Sequence, residues 1–152
     1  MSARLACLLA GVWAGVLLCL GAMAAPTAFA TLIAADAGRV AGRLFAQEAY
    51  LSLALAVLLL LLARRRGGVA RPATGSVFSA EMLLVLGTVF CTVAGYFAAQ
   101  PMMAAARSGQ AAVSFATLHA VSAGFFVLKG VLVLALAWRL SAAFGLRTAA
   151  TS

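Results

Sequence analysis

Four long apolar stretches divide this 152-residue chain, and a block of arginines separates the second stretch from the third. A helix rises about 1.5 Å per residue, so about 20 residues cross the hydrocarbon core of a bilayer. The continuous apolar pattern favours helices over the alternating strands of a membrane barrel. The stretches that meet this length are Leu5–Ala25, Leu44–Ala63, Met82–Ala99 and Ala111–Trp138. We predict an all-α fold, an integral membrane four-helix bundle with spans at about 5–33, 42–63, 78–99 and 112–139.

The composition leaves almost no room for a soluble domain. The chain is 66% hydrophobic and 9% charged, whereas about half apolar is usual for soluble domains. We therefore expect a single membrane domain over residues 1–152. The first stretch also resembles a secretory signal, because Arg4 precedes it and small residues end it. Its length, and Pro26 after the best cleavage position, favour its retention as the first span; cleavage is the alternative.

Basic residues are distributed unevenly between the two ends of the predicted spans. With the N-terminus inside, seven arginines lie on the inner side (Arg4, Arg64, Arg65, Arg66, Arg71, Arg139, Arg147) and three on the outer side (Arg39, Arg43, Arg107). Cytoplasmic loops carry such an excess. The pattern predicts up-down-up-down topology with both termini cytoplasmic, in a bacterial inner (cytoplasmic) membrane.

The net charge of +8 is explained by this orientation rather than by nucleic acid. The basic loop is short and has no interleaved aromatic residues, so nucleic-acid binding is not expected. A polybasic segment beside a membrane span attracts anionic lipid headgroups. We expect those headgroups to contact the loop through Arg64, Arg65, Arg66 and Arg71.

Small residues recur every fourth position in the first and third spans. They are Gly11, Gly15 and Cys19 in the first span, and Gly87, Cys91 and Gly95 in the third. Such stripes let helix backbones approach closely. We expect spans one and three to pack through these faces; the alternative is homodimerisation through Gly11 and Gly15.

The halves of the chain show a weak internal similarity. Pro26 and Pro101 lie near the outer ends of the first and third spans. Phenylalanines open the second and fourth spans shortly before an ionisable residue, as Phe45 before Glu48 and Phe115 before His119. This pattern is typical of two hairpins related in a parallel sense.

Four ionisable residues fall within spans, and such residues are the first functional candidates in a membrane protein: Glu48, Glu81, His119 and Lys129. We expect Glu48 and His119 to face each other about 9 Å below the outer boundary, near Ser122. Lys129 is expected to reach toward Glu81 on the inner side. A structural interaction is favoured for both pairs; proton or cation handling is the alternative.

No enzyme chemistry is indicated, because the sequence contains no nucleophile–base arrangement, phosphate loop or dinucleotide fingerprint. The three cysteines have no CxxC spacing, so neither zinc nor a disulfide framework is expected. Outer methionines with His119 would suit Cu(I), and a single histidine would suit haem only in an unusual site. We expect no metal or cofactor and keep copper or haem binding as a second alternative.

Short motifs along the chain resemble a known family. Pro26-x-x-Phe29 leads to Gly38-x-Val40 and then to Leu44-Phe45, and the fourth span carries Leu118-His119-x-x-Ser122. These motifs resemble the uncharacterised four-span family that includes eukaryotic transmembrane protein 205, whose bacterial members are grouped as domain of unknown function 4149. Phe126 stands where that family is expected to have an asparagine. The resemblance implies a four-helix inner-membrane bundle with no established activity.

These observations favour a non-enzymatic membrane module, a subunit or stress-tolerance factor. Its expected partners are the lipid bilayer and either a second copy of the chain or another membrane protein. The alternative is an oligomeric transporter of small solutes or cations that uses Glu48 and His119.

Overall fold

The computed structural model describes residues 2–67 and 79–149, with side chains over 3–65 and 79–143. The described residues form helices and no strand. Four helices, α1 to α4, are long and apolar enough to cross a membrane: Ala3–Thr31, Ala34–Arg65, Ala80–Arg107 and Phe115–Ala143. The prediction of an all-α chain with four such helices is confirmed.

Helices α1 and α3 each contain a π-helical segment just before a proline. In α1, Ser2–Cys19 and Ala25–Thr31 flank Leu20–Ala24. In α3, Ala80–Thr92 and Ala99–Arg107 flank Val93–Ala98. A proline lacks an N–H and its ring clashes with the carbonyl four residues earlier, so the wider π-helical turn accommodates Pro26 and Pro101.

Helices α2 and α4 are uninterrupted over Ala34–Gly67 and Phe115–Ala149. Residues 26–43, which separate the first two apolar stretches, are mostly helical, since the chain leaves helical geometry there only at Leu32 and Ile33. An exposed ion pair between Asp36 and Arg39 lies in the first turns of α2. Charged residues at i and i+3 are helix neighbours, so α2 begins earlier than its apolar stretch.

Each helix packs against two others. Helices α1 and α3 both contact α2 and α4, whereas the backbones of α1 and α3 do not approach each other, and neither do those of α2 and α4. The prediction that spans one and three pack together is therefore wrong: they lie diagonally. The core stripe of α1 is built from Ala6, Ala10, Trp13, Ala14 and Leu17, and Gly11 and Gly15 lie outside it.

The rest of this core comes from the other three helices. It includes Leu55 and Leu59 of α2, Val85 of α3, and Val133 and Leu136 of α4. In this cluster, large aliphatic side chains of α2 and α4 are packed together with the small alanines of α1. This larger apolar core lies toward the arginine block of α2, and a smaller cluster of Ala99, Met103 and Leu118 joins α3 and α4 near their other ends.

Candidate functional site

Among the side chains over residues 3–65 and 79–143, one ion pair lies in the interior of the bundle. Lys129 of α4 donates to both carboxylate oxygens of Glu48 of α2, with Nζ 2.8 Å from Oε1 and 2.7 Å from Oε2. The two side chains are 4% and 3% exposed. Because the backbones of α2 and α4 do not approach each other, these two long side chains span the diagonal of the bundle.

Two further side chains complete the polar network around Glu48. Ser52 lies one turn after Glu48 on the same helix face, and its hydroxyl donates to Glu48 Oε1. Trp13 of α1 donates its indole N–H to Ser52 Oγ over 2.9 Å. Buried polar groups need such partners, and this network links three helices through hydrogen bonds.

Aromatic rings pack beside the ion pair. The ring of Phe126 meets that of Phe45 edge to face, with centroids 5.1 Å apart. Lys129 Nζ lies 5.2 Å from the centroid of Phe126, within the range of a cation–π interaction. A low-dielectric wall strengthens the attraction between the two charges. The arrangement neutralises two costly groups and provides a fixed polar joint.

The predicted pairing of Glu48 with His119 is wrong. Helix α4 begins only at Phe115, so His119 lies in its second turn, where it is exposed and stacked on Phe115 with centroids 5.8 Å apart. Arg107 also lies over the Phe115 ring, with Cζ 4.5 Å from the centroid. Ser122 also points elsewhere: its hydroxyl donates to the carbonyl of Gly95 in the π-helical segment of α3.

The predicted pairing of Glu81 with Lys129 is also wrong, because Lys129 pairs with Glu48. Glu81 is half-buried in the first turn of α3, which begins after Ser79. Ser79 caps that helix by accepting from the N–H of Met82, and a carboxylate in a first turn is stabilised by the helix dipole. A small cleft beside Glu81 is lined by Ala6, Leu59, Ala63, Glu81, Val85, Leu136 and Leu140.

The six predicted packing residues divide into two groups. Gly11, Gly15 and Cys19 of α1 are exposed, and a methyl group added at Gly11 or Gly15 would meet nothing within 4 Å. In α3, Cys91 is buried, and methyl groups added at Gly87 and Gly95 would lie 3.1 Å from Leu132 and 2.5 Å from Phe125. The small residues of α3 therefore allow close packing against α4, whereas those of α1 do not serve packing within the chain.

The motif residues Pro26, Phe29, Gly38, Leu44 and Phe45 are spread over the ends of α1 and α2. Pro26 and Phe29 are exposed, and Gly38, Leu44 and Phe45 are half-buried. Of these, only Phe45 contacts the central network, through Phe126. The remaining four lie outside it.

Over residues 3–65 and 79–143, no three His, Cys, Asp or Glu side chains cluster as metal ligands would. The three cysteines are free. The buried charged side chains in this part of the chain are Glu48 and Lys129, which pair with each other.

Sequence reasoning missed Trp13, Ser52 and Phe126. Two of them carried a usable signal. Ser52 follows Glu48 by four residues, which places both on one helix face, and a tryptophan within a span needs a partner for its N–H. Phe126 carried no such signal, because an apolar residue in an apolar span is unremarkable.

Four helices of this length and hydropathy, closed around an internal ion pair, are those of a multi-pass membrane protein. The model of the family described as domain of unknown function (DUF4149) matches residues 8–112. The chain belongs to this family, as its motifs predicted; the likeness to transmembrane protein 205 stays a prediction. No curated protein and no solved structure matches the chain.

The family match spans α1 to α3 and ends before α4 begins at Phe115. His119, Ser122 and Lys129 thus lie beyond the matched residues. The Glu48 half of the ion pair lies within the family model, and the Lys129 half lies in the part of the chain that the match does not include.

Proposed function

We propose that this protein is a non-enzymatic membrane module that acts as a subunit, scaffold or stress-tolerance factor. One observation carries the proposal: the two fully buried charged side chains among residues 3–65 and 79–143, Glu48 and Lys129, satisfy each other. Ser52 donates to Glu48, and Trp13 donates to Ser52. A site built to bind a polar substrate would keep a buried charged or polar group free for it, whereas the charged groups of this network bind each other.

The same proposal includes an orientation in the bacterial inner membrane. Both termini and the loop between α2 and α3 are cytoplasmic, in an up-down-up-down arrangement. Arg64 and Arg65 are exposed at the end of α2 and support contact with anionic headgroups; the side chain of Arg66 and all of Arg71 lie outside the described residues. A reporter fused after Ser152 is expected to be active in the cytoplasm, and activity only outside it would overturn this orientation.

The direct test of the class is purification in mild detergent, with an absorption spectrum and metal analysis on one sample. We expect a colourless, metal-free protein. A Soret band or stoichiometric copper would contradict the proposal and favour a metal or haem protein. His119→Ala belongs in the same experiment, because a bound metal or haem that depends on His119 would be lost in this variant.

A transporter is the second candidate, and the buried pair itself is the observation that favours it, since charges within spans are often parts of ion pathways. Such a pathway would use Glu48 and Lys129 rather than Glu48 and His119. Four helices provide little wall for a path, so this function also requires assembly. Proton or cation flux in vesicles that is lost in Glu48→Gln, with the fold retained, would support it.

A further inference from the structure

Residues that meet across the centre of the bundle share one separation along the chain. Glu48 and Lys129 are 81 residues apart, and the rings of Phe45 and Phe126, which meet edge to face, have the same separation. Helices α2 and α4 also begin 81 residues apart, at Ala34 and Phe115. Equivalent residues of two repeats meet only on the axis that relates them. Two such pairs show that α2 and α4 run in the same direction and in register, as an axis between them requires.

The outer pair of helices shares a π-helical segment but not this separation, because the two segments begin 73 residues apart, at Leu20 and Val93. Both segments contain a glycine that faces α4, whereas an exact two-fold axis would turn the glycine of α3 toward α2, so the outer helices match only approximately. A methyl group at Gly21 would lie 3.0 Å from the ring of Phe126, and one at Gly95 would lie 2.5 Å from Cβ of Phe125. Each of these helices contacts both α2 and α4, as a two-fold arrangement requires.

We propose that the first hairpin (α1 and α2) and the second hairpin (α3 and α4) are approximate repeats around an axis along the bundle, and that Glu48 and Lys129 on this axis make the first hairpin select the second as its partner. In this arrangement, Phe126 and Lys129 are the equivalents of Phe45 and Glu48. The sequence similarity had instead indicated Phe115 and His119.

The selection follows from the position of the charges. Two first hairpins brought together in this way would oppose two buried carboxylates, and two second hairpins would oppose two buried ammonium groups. Like charges in low dielectric are strongly unfavourable, and an unpaired buried charge is costly. Only unlike hairpins pair opposite charges. The inner face of the first hairpin thus fits a hairpin that carries a cation at the position of Lys129.

The two proposed repeats differ at the position one turn after the charged residue. Ser52 donates to Glu48, and the position 81 residues further along holds Val133, which is fully buried. A carboxylate at position 48 therefore has a hydroxyl partner, and a carboxylate at position 129 would have none. Moving the serine with the carboxylate should complete an exchange of the two sites.

The test is an exchange of charges in the full-length chain, read as the melting temperature and the monodisperse fraction in mild detergent. Glu48→Lys and Lys129→Glu should each lose most of the folded protein. The double variant should recover part of that loss, and addition of Ser52→Val and Val133→Ser should recover more. The matched control is Ser52→Val with Val133→Ser in the natural chain, which should lower the melting temperature.

Each outcome decides the proposal. Recovery in the double variant and a further gain in the quadruple variant support two equivalent positions. A double variant as unstable as the single variants shows that the surroundings of positions 48 and 129 are not equivalent, and it overturns the proposal. A serine exchange that acts in the same direction in both backgrounds also overturns it. The proposed function would survive either result, because it requires only that the natural pair is closed.

Discussion

Lys129 donates to both carboxylate oxygens of Glu48 across the diagonal of a four-helix bundle, where the backbones of the two helices do not approach each other. The contact is therefore made by two long side chains and not imposed by neighbouring backbones. It joins two helices whose side chains also meet through the rings of Phe45 and Phe126. The following predictions test how this joint and its surroundings stabilise the bundle.

The glycines of α1 and α3 should respond differently to the same substitution. Gly95→Ala places a methyl group within 2.5 Å of Phe125 Cβ, and overpacking of this kind costs about 1–3 kcal/mol. Gly11→Ala meets open space, and alanine is favoured over glycine in a helix by about 1 kcal/mol. Thermal unfolding in detergent should show a lower melting temperature for the first variant and an unchanged or higher one for the second.

Gly11 also tests the homodimer that the sequence left open. If a second copy packs on the exposed face of α1, Gly11→Leu should shift the protein from dimer to monomer in size-exclusion chromatography with light scattering. An unchanged oligomeric state would show that this glycine face does not hold two copies together. Gly124→Leu, at another glycine with open surroundings, is the control on α4.

The two tryptophans should contribute unequally to stability. Trp13 is fully buried and donates to Ser52, whereas Trp138 is 78% exposed. Trp13→Phe removes the indole N–H and part of the packed volume, with an expected loss of about 1–3 kcal/mol in the free energy of unfolding. Trp138→Phe should change it by less than about 0.5 kcal/mol. Equal effects would show that the hydrogen bond to Ser52 does not stabilise the fold.

His119 should be dispensable for the interior. It is exposed and contacts Phe115, at a distance from the Glu48 network. His119→Ala should change the free energy of unfolding by no more than about 0.5 kcal/mol, as other surface substitutions do. The melting temperature in detergent should therefore stay close to that of the natural chain. Ser52→Ala is the matched interior variant and should be destabilised. A large loss in His119→Ala would indicate that this end of α4 is buried by a partner.

The sequence was sufficient for the helices and insufficient for the contacts between them. The length of an apolar stretch predicts a span, because the thickness of the bilayer sets the length of a spanning helix. All four predicted helices are present in the structure. Side-chain pairing depends on where each helix begins and on which helices are diagonal. Counting from the start of an apolar stretch predicts that His119 faces Glu48, but α4 begins only four residues before His119, which is exposed. Lys129 reached a helix that is not a backbone neighbour, which no spacing rule indicates.

The most direct measurement of the central claim is a double-mutant cycle on Glu48 and Lys129, with reversible unfolding in mixed detergent micelles. Glu48→Gln and Lys129→Met each leave one buried charge without its partner, at a cost of about 3–5 kcal/mol. The double variant has no charge to bury and should be close to the natural chain in stability, so the two effects should be strongly non-additive. Additive losses, with a coupling energy near zero, would contradict the account and show that the two charges do not stabilise each other in the folded bundle.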